Sequence, residues 1–277
     1  MIPYDKAIEI LDDCKEMDVK AIQITGGGEP SVHPQHQEIY QAVLDRGMEL
    51  ALVSNGVIFK EKTIDLLLQA TWVRFSIDAG NEDTYSSIRN ISKSHYAKMW
   101  NNVKSLAAAK KSRGGKVTIG LGFVVTQENW KEIDGFAKEA KDSGVDNIRI
   151  SAVFQNENEK YFDNFFDKAA ELCRMTKEKY EDNEFTVFNN FGERYSDLLQ
   201  QSPDYSFCGY QNLVTYIGGD LNLYRCCNTA YNFKGLIGSI ADKRFKDLWF
   251  SQEKKNNFDC FDAKTCERCM FNNKNKA

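Results

Sequence analysis

The residues with the most telling spacing are the cysteines. Of eight in 277 residues, only Cys14 and Cys173 precede residue 208, whereas Cys208, Cys226, Cys227, Cys260, Cys266 and Cys269 crowd the C-terminal stretch. The last pair closes a C-x-x-C, Cys266-Glu267-Arg268-Cys269. In a reducing compartment a clustered set of thiols argues for a metal rather than a disulfide framework. A second stretch with chemical potential is Gly26-Gly27-Gly28-Glu29-Pro30. Its glycines let backbone N–H and C=O groups approach a ligand closely, Glu29 adds an anion, and Pro30 fixes the exit of the turn. Such a turn suits a small zwitterion, with N–H groups for its carboxylate and C=O groups plus Glu29 for its ammonium.

The elements that must position these residues follow from apolar periodicity. Residues 5–18 carry Ala7, Ile10, Leu11 and Cys14 on one helical face, which makes Cys14 a core residue. Strands are expected at 20–25, 49–53, 72–77, 116–125 and 147–154, with helices near 35–46, 60–70, 100–111, 129–143 and 158–182. Residues 81–94 read as a longer connection holding Tyr85 and Arg89. Strands that recur at roughly 25–30 residues with helices between them are the mark of βαβ units and a parallel sheet. In such sheets ligands sit at the carboxyl ends of the strands. Here those ends read GGGEP, SNG, SIDAG, VVTQEN and SAVFQN. Toward the C-terminus, 213–217 and 221–224 flank Gly218-Gly219-Asp220 as a hairpin that draws Cys208 toward Cys226; a short strand at 236–240 and a helix at 245–249 follow.

Composition narrows the function classes. Net charge −4 gives no electrostatic footprint for nucleic acid. No apolar run approaches the ~20 residues of a membrane span, and the N-terminal residues show no signal-peptide pattern. The reading is a cytoplasmic protein. His33, His36 and His95 are scattered and read as surface residues rather than ligands.

GGGEP at 26–30, SNG at 54–56, SIDAG at 76–80 and the Tyr85-to-Arg89 segment together resemble the radical S-adenosylmethionine (radical SAM) enzymes. The resemblance implies an α/β fold, a partial (β/α) TIM-like barrel over 1–190, with a small cysteine-rich hairpin-and-helix domain over 191–277. It implies that Gly26, Gly27, Gly28 and Glu29 hold the methionyl end of S-adenosylmethionine. Ser54, Ser76 and Asp78 stand at the next strand ends, and Arg89 meets the methionyl carboxylate through a charge-assisted fork. The cysteine region resembles the twitch or SPASM-type extension of these enzymes, in its one-cluster form. That resemblance implies an auxiliary [4Fe–4S] cluster on Cys208, Cys226, Cys266 and Cys269. Zinc in an all-thiolate site is the rival, Cys227 is a vicinal alternative to Cys226, and Cys260 is either a ligand or a spare thiol.

In one respect the chain departs from the family. The C-x3-C-x2-C loop that binds the SAM-cleaving [4Fe–4S] cluster is absent, and the chain starts at the helix that normally follows it. The expectation is an N-terminally truncated barrel lacking its first strand, inactive as it stands. A misplaced start is preferred over one half of a split enzyme, or over loss of catalysis, because the strand-end residues are intact. The intact parent is expected to generate a 5′-deoxyadenosyl radical and abstract hydrogen from a small molecule or a peptide. A flavodoxin or ferredoxin would supply electrons, with neither nucleic acid nor membrane as partner. The alternative is a non-catalytic iron–sulfur or zinc protein.

Overall fold

A computed structural model describes residues 1–154 and 158–276. The chain divides into two compact units, one formed by Ala21–Leu44 and Glu49–Tyr195, the other by Met1–Lys20, Asp45–Met48 and Ser196–Ala277. Helix α1 (Tyr4–Glu16) belongs to the latter. The former begins with β1 (Ala21–Ile24), α2 (His36–Asp45), β2 (Glu49–Ser54), α3 (Glu61–Leu67) and β3 (Trp72–Ser76). It continues with α4 (Glu82–Arg89), α5 (Ser94–Arg113), β4 (Thr118–Val125), α6 (Ile133–Asp142) and β5 (Asn147–Ala152). Helices α7 (Asn158–Tyr161) and α8 (Phe166–Tyr180) lead to β6 (Thr186–Asn189).

The six strands form one sheet in sequential order, every neighbouring pair parallel. The parallel sheet is the one expected from the strand spacing, and the partial (β/α) barrel is the architecture that the resemblance implies. One face of the sheet is fully buried: Val73 and Phe75, then Ile119, Leu121, Phe123 and Val125, then Ile148 and Ile150. Alternation puts these residues together, and the helices cover them, with Phe136 of α6 packed 4.8 Å from Phe123. Each such side chain contributes roughly 1.5–3 kcal/mol by leaving water.

Three differences from the expected elements have local causes. Residues 82–89 are helical: the Asn81 side chain accepts from the Thr84 N–H at 2.9 Å, and Asn90 closes the helix in the left-handed region at φ 50°. Strand β6, which follows the charged stretch at the end of α8, is not among the expected strands. The expected helix at 158–182 is divided into α7 and α8. In the SAVFQN strand end, Gln155 and Asn156 lie outside the described residues.

After β6 the chain runs through α9 (Phe191–Leu199) and α10 (Tyr210–Leu213) to β7 (Tyr216–Ile217), β8 (Asn222–Tyr224) and β9 (Leu236–Ser239). These three strands form an antiparallel sheet in that order. The hairpin turn is closed by Gly218 N–H to Asn222 O at 2.9 Å, with Leu221 at φ 60°. Asp220 fastens it by accepting from the Tyr224 hydroxyl at 2.6 Å. Helices α11 (Phe245–Trp249), α12 (Gln252–Asp259) and α13 (Asn272–Lys276) complete the unit. The fully buried Asp13 of α1 fixes the start of α11 by pairing with Arg244 at 2.5 Å and accepting from the Lys246 N–H at 3.1 Å.

Candidate functional site

The GGGEP turn leaves β1 and is tied to the end of β2 through Glu29. Glu29 Oε1 accepts from the Ser31 N–H at 3.0 Å, the Ser31 hydroxyl at 2.7 Å and the Ser54 hydroxyl at 2.8 Å. Oε2 accepts from the Asn55 N–H at 2.6 Å. The carboxylate thus joins two strand ends, and its charge strengthens each bond. A methyl group at Gly26 would come within 3.0 Å of the Gly28 carbonyl, whereas one at Gly28 would meet nothing within 4 Å. Gly26 therefore serves the turn, and the space beside Gly28 is open.

A second constellation stands at the end of β3. Asp78 has left-handed backbone, φ 60°, which an aspartate tolerates better than most residues. Its Oδ1 accepts from the Val124 N–H at 2.8 Å, and its Oδ2 accepts from Arg89 at 2.7 Å. Arg89 also donates to the Ser76 carbonyl at 2.9 Å. Burial pushes the Asp78 carboxyl above its usual range, while Arg89 and the Val124 N–H pull the other way. Two residues that sequence reading passed over hold this loop. Asn129, fully buried, donates to the Asp78 and Val124 carbonyls at 2.8 Å each. Glu132 accepts from the Gly80 N–H and the Asn81 amide at 2.7 Å each, and a Cβ on Gly80 would collide with it at 2.7 Å. The only signal for them was the polar run after β4.

Around these groups lie buried polar atoms without a partner: the hydroxyls of Tyr40 and Tyr85, Arg89 Nε and His36 Nε2. Tyr85 feels Arg89, Asp78 and Glu29, and Tyr40 feels Glu29; burial raises both phenols. Orphaned buried donors and acceptors are uncommon in folded chains. The two phenols lie close enough to Glu29 to feel its charge, which places them near the strand ends. His36, expected at the surface, is buried, with Nδ1 2.9 Å from the His33 carbonyl.

In the other unit, Cys208, Cys226, Cys266 and Cys269 all line one cavity, together with Tyr210, Arg225 and Phe271 among others. The cavity unites the segment before α10, the end of β8 and the C-x-x-C. Cys269 Sγ accepts from the Tyr205 hydroxyl at 3.6 Å and the Phe271 N–H at 3.4 Å, and Cys226 Sγ lies 3.6 Å from the Thr229 hydroxyl. Burial pushes the Cys266 thiol up to about 12, and Cys269, Cys226 and Cys208 add to the shift. Binding a metal to thiols expels their protons. Among the described residues, no three His, Cys, Asp or Glu side chains are drawn together into a ready metal site. The donor set nonetheless fits a thiolate-ligated centre. Cys227 and Cys260 are exposed and do not line the cavity. Cys14 and Cys173 are buried in separate units, each pushed up to about 12 by burial. Being in separate units, they form no ligand set for a SAM-cleaving cluster.

A parallel α/β unit with its polar groups at the carboxyl ends of its strands defines a ligand-binding member of the (β/α) class. The sequence model of the Radical SAM superfamily matches residues 1–140, and the chain belongs to that superfamily. It is 24% identical over 266 residues to the tungsten-containing aldehyde ferredoxin oxidoreductase cofactor-modifying protein of Pyrococcus furiosus, covering 90% of this chain and 72% of that one. It is 29% identical over 189 residues to the antilisterial bacteriocin subtilosin biosynthesis protein AlbA of Bacillus subtilis, covering 67% of this chain and 38% of AlbA. The fold is similar to that of Streptococcus suis SuiB, with TM-score 0.65 at 14% identity, covering 90% of this chain and 60% of SuiB. SuiB bound to its precursor peptide SuiA gives TM-score 0.66 at 12% identity. The chain thus spans about 60% of SuiB and little more than a third of AlbA. Among the described residues, no helix is long and apolar enough to cross a membrane.

Proposed function

We propose that this chain carries the cofactor-binding strand ends and the auxiliary-cluster unit of a radical SAM enzyme that modifies a peptide. The observation that carries the reading is the convergence of Cys208, Cys226, Cys266 and Cys269 on one cavity from three separate segments. Bound S-adenosylmethionine supplies such an enzyme with a 5′-deoxyadenosyl radical for hydrogen abstraction. The chain's own part is to bind and orient. Gly28 leaves backbone open to the methionyl end, and Ser54 with Glu29 holds the turn in place. Arg89, which pairs with Asp78, offers a donor to the carboxylate. Buried walls around these groups exclude water, which strengthens each polar contact. A peptide substrate is supported by AlbA, named for subtilosin biosynthesis, and by SuiB, which binds a precursor peptide. A small-molecule or cofactor substrate is supported by the Pyrococcus relative. The domain limits 1–190 and 191–277 belong to this proposal.

A second reading rests on the cysteines themselves. The four cysteines that line one cavity are also what a non-catalytic metal-binding protein, or one half of a split enzyme, needs.

The test has two arms. Anaerobic reconstitution with iron and sulfide should give about four irons per chain; zinc without iron refutes the cluster. Calorimetry with S-adenosylmethionine then compares the unsubstituted chain with Gly28→Val. Because a side chain at 28 meets open space in the free protein, lost binding with unchanged stability reports ligand approach. Equal binding by both proteins rejects the strand-end site.

A further inference from the structure

Arg225 is buried in the thiol cavity, 5% exposed, directly before Cys226. Every acceptor that holds it is neutral. One guanidinium nitrogen donates to Gln211 Oε1 at 2.6 Å, and another donates to the Asn257 carbonyl at 2.8 Å and to the Asn257 side-chain oxygen. Its charge lies over the Phe261 ring at 3.8 Å and the Phe258 ring at 5.4 Å. Nε is buried without a partner. The ionisable groups that bear on it are the thiols Cys266, Cys208 and Cys226, and among the described residues no carboxylate pairs with it.

A buried guanidinium is expensive to desolvate unless an anion answers it. Two amides and two aromatic faces orient this one, but they cannot neutralise it. The missing anion is supplied when the four thiols lose their protons to a metal, because a cluster on four thiolates is itself anionic. We propose that Arg225 is the fixed counter-charge of the metal–thiolate centre and sets its reduction potential.

The inference rests on the cluster reading above. Reduction of a thiolate-bound [4Fe–4S] centre adds one electron, here from a low-potential donor such as dithionite, and makes the centre one charge more negative. A fixed cation beside it favours the reduced form more than the oxidised one, so the potential rises. Net charge and hydrogen bonds to sulfur are the levers that tune such centres. Tyr205, which donates to Cys269 Sγ at 3.6 Å, works in the same direction through a smaller, neutral dipole.

The experiment is a potentiometric titration, followed by electron paramagnetic resonance, of the reconstituted full chain, with iron counted in each sample. Arg225→Gln should hold the same iron at a clearly more negative potential. Arg225→Lys should fall between it and the parent, and Tyr205→Phe should shift least. A loaded Arg225→Gln protein with the parent potential overturns the inference, as does an equal shift in the Gln and Lys variants. If Arg225→Gln takes up no iron while Arg225→Lys does, the positive charge is needed for assembly and the inference stands. If both lose iron while the parallel sheet keeps its amide protection, Arg225 is only a structural clip and the inference fails. A parent that takes zinc and no iron refutes the cluster reading alone. The counter-charge then predicts weaker zinc binding in Gln than in Lys, and equal binding rejects it.

Discussion

The two units handle their polar groups in opposite ways. In the parallel-sheet unit the strand ends are cross-tied within the protein: Glu29 takes donors from Ser31, Ser54 and Asn55, and Asp78 takes Arg89 and the Val124 N–H. Beneath them lies a buried apolar face running from Val73 to Val187. In the C-terminal unit the sheet strands are two to four residues long, and the polar centre is four cysteines beside Arg225, whose acceptors are all neutral. Under the proposed function a metal on the four thiols supplies folding energy to the C-terminal unit as well as chemistry.

The largest effect that separates them is removal of a thiol. Cys266→Ala or Cys269→Ala should abolish iron uptake, and hydrogen exchange should show protection lost across 205–275 while β3, β4 and β5 keep theirs. Equal loss of protection in both units, or none in either, breaks the contrast.

The next effect lies in the sheet unit. Arg89→Ala strands the Asp78 carboxylate without its cation, which should cost about 3 kcal/mol in urea unfolding of the sheet unit. The penalty depends on pH. With Arg89 gone, burial dominates, and the folded carboxyl rises further above its unfolded value. A group that binds its proton more tightly when folded contributes most at low pH, and that contribution is lost as pH rises through the folded value. The deficit of Arg89→Ala should therefore be larger at pH 7 than near pH 4. A pH-independent deficit detaches Arg89 from Asp78. Glu29→Gln comes next, with about 2 kcal/mol, because an amide nitrogen must then face one of the donors now bound to the carboxylate.

What could be read from the sequence follows the same division. The strands and most helices of the sheet unit were visible because their apolar residues repeat with the right period over five or more positions. Strand β6 and helix α4 were not: one directly follows the charged end of a long helix, and the other is defined by Asn81 and Asn90 at its ends rather than by an apolar stripe. The strand-end residues were legible by type, but their mutual bonding was not. Glu29 reads as an anion open to a ligand, yet each of its oxygens already accepts from the chain itself. In the C-terminal unit the cysteine spacing pointed to four thiols that do share a cavity. Arg225 and Tyr205 escaped notice because no local pattern distinguishes an arginine aimed inward from one on the surface.

The smallest effect sharpens the comparison thiol by thiol, and it needs no substitution. The thiolate is the form that iodoacetamide alkylates. Cys14 and Cys173, buried in different units and each pushed up to about 12, leave about one thiolate in ten thousand at pH 8. They should label only through unfolding of their units, far more slowly than the exposed thiols. Cys227 and Cys260 are exposed and should label first in the metal-free protein, with the cavity thiols between the extremes. Loading with iron and sulfide should then protect Cys208, Cys226, Cys266 and Cys269 and leave Cys227 and Cys260 reactive. Mass spectrometry of the labelled peptides distinguishes the vicinal pair. Protection that falls on Cys227 and spares Cys226 moves the ligand to the neighbouring residue. Labelling of Cys14 and Cys173 at equal rates in the metal-free protein would show that the two units open together and remove the contrast between them.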